Sequence, residues 1–370
     1  MKRSGPKKEN WKNLKRFYQL YKSDLSMAEI ERLVKRDVPG IYEFYSRDME
    51  KPDQNRNWLF RTLIFIRNFF LTFLLKLTAA RRLFYSIAIA LFFYGLVVGL
   101  INWMFISFLI LNILLALEVA DKIMAKDELE VAREIQMGLM PASAPADIPC
   151  EIACFSEPAR EVGGDYYDFI RPRRNGKDTY MVIGDVKGKG MGAALYMVRV
   201  QALLQYLAET YQQPAEILVE LNKNIRKIMQ ADYFISLSIT RVHSSGNFTL
   251  ARAGHMPLIY YNAKSRELKE LEPSGMAVGL ENNGRFEETI EELSLRPGSG
   301  DILVYYTDGV VETMDEEQNQ FGAPALNKII QKTIHLSAPE IKEAILKDVA
   351  RFRSKAAPQD DLSLIVVKVK

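Results

Sequence analysis

The chain has 370 residues, 26% of them charged, and a net charge of only +3. This length is enough for two or more domains, and the small net charge excludes a strongly basic protein that binds nucleic acid through its overall charge. The two cysteines, Cys150 and Cys154, are too few for a disulfide framework, and no second Cys or His pair accompanies them as a zinc site would require. A reducing compartment is therefore the simplest interpretation for the C-terminal part of the chain.

Residues 1–57 are rich in lysine and arginine, with charged and apolar residues at helical spacing over 11–50. We predict a basic cytoplasmic helical segment, which would suit a flank near anionic lipid. A solvated basic tail is the alternative. No signal peptide is predicted, because the first apolar run starts too late and no small-residue cleavage site follows it.

Residues 58–80 are predicted to form an amphipathic or membrane helix. Four polar residues form one stripe of a helical wheel: Arg61, Asn68, Thr72 and Lys76. Such a stripe favours a helix that lies in the membrane interface. A third membrane span is the alternative, and it would place the N-terminus outside.

The segment 83–117 has no charged residue. As one straight helix it would be about 50 Å long, against about 30 Å of hydrocarbon, so we predict a membrane hairpin of two short spans with a turn near Asn102–Trp103. The flanking basic residues then share one side of the membrane: Arg81, Arg82, Lys122 and Lys126. The positive-inside rule makes that side the cytoplasm. This predicts a multi-pass protein of the inner membrane with its C-terminal domain in the cytoplasm, whereas a single tilted span would export the basic N-terminal segment.

Residues 118–141 are predicted to form a linker helix that leaves the membrane. One helical face carries an apolar stripe: Met124, Val131, Ile135 and Leu139. Such a stripe can pair with a second copy of itself, which would make the protein a homodimer. The alternative is a helix that packs on its own domain. The prolines at 141, 145 and 149 then end the helix.

From residue 150 to residue 370 the pattern changes to short runs rich in Val, Ile, Tyr and Leu, bounded by Gly, Asn, Asp and Pro. These runs predict β-strands. Helices are predicted at 192–210, at 214–230 and near 338–353. Strands gathered together with helices between them predict an α+β layered domain.

Acidic residues stand at strand ends and glycine turns in four motifs of this domain. Asp165 follows two glycines, Asp185 ends the run YMVIGD, and Asp308 follows LVYYT; Asp360 and Asp361 precede the last strand. Each motif alone has an ordinary explanation, such as a capped turn or a solvated surface pair. Together they supply the oxygen ligands that Mg²⁺ and Mn²⁺ prefer, and a pair of such ions can activate water and hold a phosphoryl group.

Seven motifs in this order resemble the bacterial RsbU/SpoIIE-type serine/threonine phosphatases, a branch of the metal-dependent type 2C phosphatase superfamily. The resemblance covers roughly residues 125–370 and rests on AREIQMGLMP, VGGDYYDF, IGDVKGKGMGAAL, ARAGHMPLIYY, GMAVGL, YTDGVVE and QDDLSLIVVKV. It implies a β-sandwich flanked by helices, with metals bound at one edge. One departure is Lys187, at a position where the family usually has a small residue.

The resemblance also implies a site with two Mn²⁺ or Mg²⁺ ions. The implied ligands are Asp165, Asp185, Val186 through its main-chain carbonyl, Asp308, Asp360 and Asp361. In this scheme Asp185 bridges the two ions, and Asp361 is a supporting residue rather than a sure ligand. Catalysis would run through a metal-activated water that attacks the phosphorus of a phosphoserine or phosphothreonine.

The function implied is that of a membrane-anchored protein phosphatase, regulated through the linker helix, whose substrate is a phosphorylated anti-sigma-factor antagonist. A catalytically inert binding module of the same fold is the main alternative, and a missing acidic residue would favour it. A phosphatase with an aspartyl-phosphate intermediate is a third hypothesis. It would need a DxDx[TV] pattern, which the sequence lacks.

Overall fold

The structure is a computed structural model, and it describes residues 58–145, 147–173, 177–230, 232–280 and 284–370. The predicted basic segment over 1–57 lies outside these residues. The chain divides into two compact units, with the boundary between Lys122 and Ile123.

Three helices form the described part of the first unit: α1 (Trp58–Lys76), α2 (Ala79–Val98) and α3 (Ile101–Leu139), the last of which continues into the second unit. The chain turns between α2 and α3 at Gly99, which adopts a left-handed conformation with φ 74°. Glycine adopts this conformation without steric cost, so the helix ends here. The predicted turn near Asn102–Trp103 was therefore placed slightly late.

Small residues allow α2 and α3 to pack closely as an antiparallel pair. A Cβ on Gly95 would lie 2.9 Å from Cγ of Met104, so only glycine fits there without a shift. The Ser107 hydroxyl donates to the main-chain oxygen of Ala88 at 2.6 Å. Within the described residues, α2 and α3 are the two helices that are long and apolar enough to cross a membrane by length and composition.

Two arginines fix the open end of this hairpin. The Arg81 guanidinium contacts Glu118 at 2.7 Å and Asp121 at 2.6 Å, where the apolar run of α3 ends. Arg82 donates to the main-chain oxygen of Leu74 at 2.9 Å. The same oxygen also accepts from the Leu77 amide at 3.2 Å, so Arg82 adds a second donor at the end of α1.

The described residues of the second unit form ten strands and six further helices. The strands are β1 (Cys150–Glu157), β2 (Tyr166–Ile170), β3 (Thr179–Val186), β4 (Ile235–Val242), β5 (Phe248–Ala253), β6 (Leu258–Asn262), β7 (Glu267–Leu271), β8 (Glu292–Leu295), β9 (Ile302–Tyr306) and β10 (Leu362–Val369). The helices are α4 (Met191–Thr210), α5 (Pro214–Ile225), α6 (Arg285–Thr289), α7 (Asp308–Val311), α8 (Ala323–Thr333) and α9 (Ala338–Arg353). Three of these were predicted, namely α4, α5 and α9, with α5 ending earlier than expected; α6, α7 and α8 were not predicted.

The strands form two antiparallel five-stranded sheets. Sheet 1 has the order β1-β10-β9-β6-β7, and sheet 2 has the order β2-β3-β4-β5-β8. Their facing sides share one core, in which Met181 and Ile183 of sheet 2 pack in the same cluster as Leu303 and Ile365 of sheet 1. Helices α4 and α5 bury apolar residues against sheet 2, and α8 and α9 do the same against sheet 1. The predicted α+β fold, a β-sandwich flanked by helices, is confirmed.

Candidate metal centre

The period-two alternation of the strands carries acidic and polar residues to one end of the core between the sheets. On β3 the inward-facing positions are Met181 and Ile183, and the next residue of the same parity is Asp185. On β9 the buried inward residue Tyr305 is followed by Thr307 in the same way. Because side chains alternate strictly along a strand, the core ends in these polar groups rather than continuing as apolar packing.

Asp165 joins the two sheets at this end. Its carboxyl group is buried, and Oδ2 accepts a hydrogen bond from the Thr307 hydroxyl at 2.8 Å. Burial and the neighbouring carboxylates of Asp185 and Asp361 raise the pKa of Asp165 well above its usual range. Asp165, which precedes β2 of sheet 2, is therefore hydrogen-bonded to the residue that follows β9 of sheet 1.

Asp185 and Asp308 have raised pKa values for the same reasons. Burial, and then the charges of Asp308, Asp360 and Asp361, raise the pKa of Asp185 to about 7. Burial, followed by the charge of Asp360, raises the pKa of Asp308 to about 6. The acidic residues of the four motifs thus lie close enough to repel one another, and this repulsion favours a cation among them.

The turn before Asp165 depends on its two glycines. A Cβ on Gly164 would lie 2.5 Å from the Val186 carbonyl oxygen and 2.9 Å from Oδ1 of Asp185, and a Cβ on Gly163 would overlap the Asp361 carboxylate. Only glycine therefore brings the backbone this close to the acidic residues. The contact also places the Val186 carbonyl oxygen at the site.

Asp361 holds this turn in place. Its Oδ1 accepts from the Ala159 amide at 2.8 Å, and its Oδ2 accepts from the Gly164 amide at 2.6 Å. Both oxygens are engaged by the main chain, which favours the supporting role over direct ligation of a metal.

The motif around Asp308 predicts that this residue ends a strand, but the structure places it in a helix. Strand β9 ends at Tyr306, and Asp308 is the first residue of the one-turn helix α7. A carboxylate is favoured in the first turn of a helix, where the backbone amides point towards it. Gly309 follows it because a Cβ there would lie 1.9 Å from the Asp361 carbonyl oxygen.

The Asp360 carboxylate forms an ion pair with Lys189. Its Oδ2 lies 2.9 Å from Nζ of Lys189. Within the described ranges, no three acidic, histidine or cysteine side chains converge closely enough to hold a cation as they stand. The donor set nevertheless fits a hard divalent cation, because it combines four mutually repelling carboxylates with a main-chain carbonyl at the glycine turn.

The linker part of α3 reaches this turn through Gln136, a residue that no sequence motif marks as functional. The side chain is buried, and its amide Nε2 donates to the Gly163 carbonyl oxygen at 2.7 Å. Its Oε1 accepts from the Gly163 amide at 3.2 Å. The Gln136 side chain therefore forms hydrogen bonds with both the amide and the carbonyl oxygen of Gly163.

His255 is a buried neutral residue behind the site. Its Nδ1 lies 2.9 Å from the hydroxyl of Ser236, the residue that pairs with Asp185 between β3 and β4. Burial, with a smaller contribution from the charge of Arg252, lowers the pKa of His255 to about 3. A histidine with so low a pKa stays neutral at physiological pH, which fits a structural role rather than that of a general base.

Comparison with known proteins agrees with this geometry. The family described as Stage II sporulation protein E (SpoIIE) matches residues 175–370, more than half of the chain. The phosphoserine phosphatase RsbU of Bacillus subtilis (strain 168) is 30% identical over 247 residues, which cover 66% of this chain and 71% of RsbU. Protein IcfG of Synechocystis sp. is 29% identical over 285 residues, and the matched part is 43% of its length.

A solved structure shows the same fold. The SiaA-PP2C domain of Pseudomonas aeruginosa has a TM-score of 0.59 and 19% sequence identity, covering 68% of this chain and 99% of that domain. The sandwich and its acidic edge define a PP2C-type phosphatase domain. The chain belongs to the SpoIIE family and is a phosphoprotein phosphatase.

The raised pKa values predict how stability without metal depends on pH. Because the folded-state pKa of Asp185 is about 7 and the unfolded value is about 4, the neutral acid stabilises the fold at low pH. This contribution is lost as the pH rises through 7, at a cost of roughly 2–4 kcal/mol. The EDTA-treated protein should therefore melt at a higher temperature near pH 5 than near pH 8. The difference should be larger in the wild type than in Asp185→Asn, which reports the pH effects of all other groups. Identical pH dependence in the two proteins would contradict this prediction.

The contact between Gln136 and Gly163 predicts that the linker sets metal affinity. Gln136→Leu keeps the size of the side chain but removes two hydrogen bonds of about 1 kcal/mol each. We expect the Mn²⁺ concentration for half-maximal phosphate release to rise by about tenfold. Gln201→Leu is the matched control, since its buried amide donates instead to the main-chain oxygen of Leu139 at 2.7 Å. Equal effects of the two substitutions would argue against a specific role for Gln136.

Proposed function

We propose that this chain is a membrane-anchored, metal-dependent phosphatase that hydrolyses phosphoserine or phosphothreonine on a regulatory protein. The observation that carries the proposal is the group of mutually repelling carboxylates from both sheets at one edge of a PP2C-type sandwich. No acidic residue of the four motifs is missing, so the proposal favours an active enzyme over an inert binding module.

Each residue of the site has a proposed role. The residues proposed to hold two Mn²⁺ or Mg²⁺ ions are Asp165, Asp185, Val186 through its carbonyl, Asp308 and Asp360, with Asp361 as the anchor of the glycine turn. The bound ions would supply an activated water and neutralise charge on the phosphoryl oxygens. Asp185 is proposed to bridge the two ions, and this role is supported by the charges of Asp308, Asp360 and Asp361, which raise its pKa together with burial.

The substrate proposal rests on the relatives. RsbU is named a phosphoserine phosphatase, and this supports a phosphorylated regulatory protein as the substrate here. An anti-sigma-factor antagonist is the particular substrate that we propose.

We further propose an inner-membrane, multi-pass location, with the phosphatase unit in the cytoplasm. The length and composition of α2 and α3 support two spans. Helix α1 carries Arg67 and ends in Lys76, and this supports a place in the membrane interface rather than a third span.

A homodimer through the linker is part of the same proposal. The stripe predicted for pairing is exposed within the second unit, with Val131 at 55% and Ile135 at 62% exposure. An exposed apolar stripe on a helix supports pairing with a second copy. Because Gln136 of the same helix holds Gly163, pairing of the linkers offers a route by which the membrane segment would bias the site.

The central test is the loss of catalysis in Asp185→Asn. We expect the wild-type chain with Mn²⁺ to release phosphate from a phosphoserine peptide, and the variant to lose at least about a thousandfold in rate, since it removes the proposed bridging carboxylate. The variant should fold, because it also removes like-charge repulsion. Asp315→Asn, in an exposed turn, is the control. Undiminished activity in Asp185→Asn would refute the site, and a pull-down with this variant as a substrate trap would identify the phosphorylated partner.

A charged substitution in the apolar stripe of the linker helix tests the proposed dimer. Ile135→Glu should weaken self-association in analytical ultracentrifugation of the detergent-solubilised chain by at least about tenfold, because it places a carboxylate in an apolar interface. Glu130→Gln changes a charged residue of the same helix outside the stripe and serves as the control. A wild-type chain that sediments as a monomer at all concentrations would disprove the dimer.

A further inference from the structure

The glycine loop after β3 carries two lysines with different surroundings. Lys187 and Lys189 are separated by Gly188, which has φ 112°, and Gly190 follows with φ 76°. Both glycines adopt backbone conformations that other residues avoid, so the loop can direct the two side chains differently. Nζ of Lys187 lies over the ring of Phe234, 5.0 Å from its centroid.

Lys189 points into the acidic site instead. Its Nζ lies 2.9 Å from Oδ2 of Asp360 and also donates to the main-chain oxygen of Gln359. Both charged side chains remain about one-third exposed. The ammonium is therefore in contact with a carboxylate that we propose as a metal ligand, while water can still reach it.

The charge of Lys189 acts on more than one carboxylate. Its positive charge also opposes the repulsion that Asp185 and Asp308 receive from their acidic neighbours. A single side chain from the loop thus offsets part of the negative charge that Asp185, Asp308 and Asp360 share.

We propose that Lys189 is a built-in competitor of the second divalent cation, which must displace the ammonium from Asp360 in order to bind. This inference rests on the proposed two-ion site. A single positive charge within about 5 Å of a divalent cation weakens cation binding by roughly tenfold even in water-like surroundings. Lys189 therefore weakens binding mainly at the site formed by Asp308 and Asp360, whose Asp360 carboxylate it contacts, and less at the site that includes Asp165. The activity of the enzyme would then follow the concentration of the metal.

The competition also explains why a lysine is tolerated beside a metal site. When the metal concentration is low, the ammonium screens the repulsion among the carboxylates. When the metal concentration is high, the bound cation screens this repulsion instead. Lys189 acts on metal affinity, and it is a positioning residue rather than a catalytic one.

Direct Mn²⁺ binding tests this inference without measuring activity. The full chain in detergent is stripped with EDTA and titrated with Mn²⁺, and free Mn²⁺ is measured from its electron paramagnetic resonance signal. We compare the wild type with Lys189→Met, Lys189→Arg and Lys187→Met. The last variant removes the same charge from the same loop, but from a side chain that contacts Phe234 instead of Asp360.

We expect two bound Mn²⁺ ions in the wild type, with the weaker one bound about tenfold more tightly in Lys189→Met. Lys187→Met should change this affinity by only about twofold, and Lys189→Arg should keep it near the wild-type value because the guanidinium retains the charge. Equal affinities in Lys189→Met and Lys187→Met, or weaker binding in Lys189→Met, would overturn the inference and leave the metal site standing. A wild-type chain that binds no Mn²⁺ would overturn the proposed site itself.

Discussion

Repulsion among buried carboxylates is the constraint on which the rest of the phosphatase unit depends. Asp165, Asp185 and Asp308 are all held where burial and neighbouring charges raise their pKa values. A fold gains nothing in stability from such a cluster, since each charge would be better solvated in water. Its presence at the end of an otherwise apolar core is explained by the binding of cations, which turns an unfavourable arrangement into a ligand set.

The surrounding structure serves to hold these acids in place. Thr307 fixes Asp165 across the two sheets, Asp361 fixes the Gly163–Gly164 turn, and Gln136 fixes the same turn from the linker helix. These contacts come from three separate parts of the chain, so a shift of the linker helix would reach the turn without passing through the core.

Local patterns predicted much of this fold and site. Alternating apolar runs indicated the strands, and Asp165 after a glycine turn and Asp185 at a strand end were candidate metal ligands. The β-sandwich with its metal site at one edge was implied by the family resemblance instead. The turn at Gly99 was placed late because the uncharged run continues through it, and any point near its middle would suit two spans. The contacts of Gln136 and Lys189 could not be predicted, because each pairs with a residue distant in sequence. Only the packed sandwich brings Gly163 to the linker and Asp360 to the glycine loop.

The central claim is that two divalent cations bind among the carboxylates of the two sheets, with Asp185 between them. Anomalous diffraction from crystals of the protein grown with Mn²⁺ tests this most directly. The account predicts two anomalous peaks within coordination distance of Asp185, one shared with Asp165 and the other with Asp308 and Asp360. Peaks located elsewhere, or no peak beside Asp185 at saturating Mn²⁺, would contradict it.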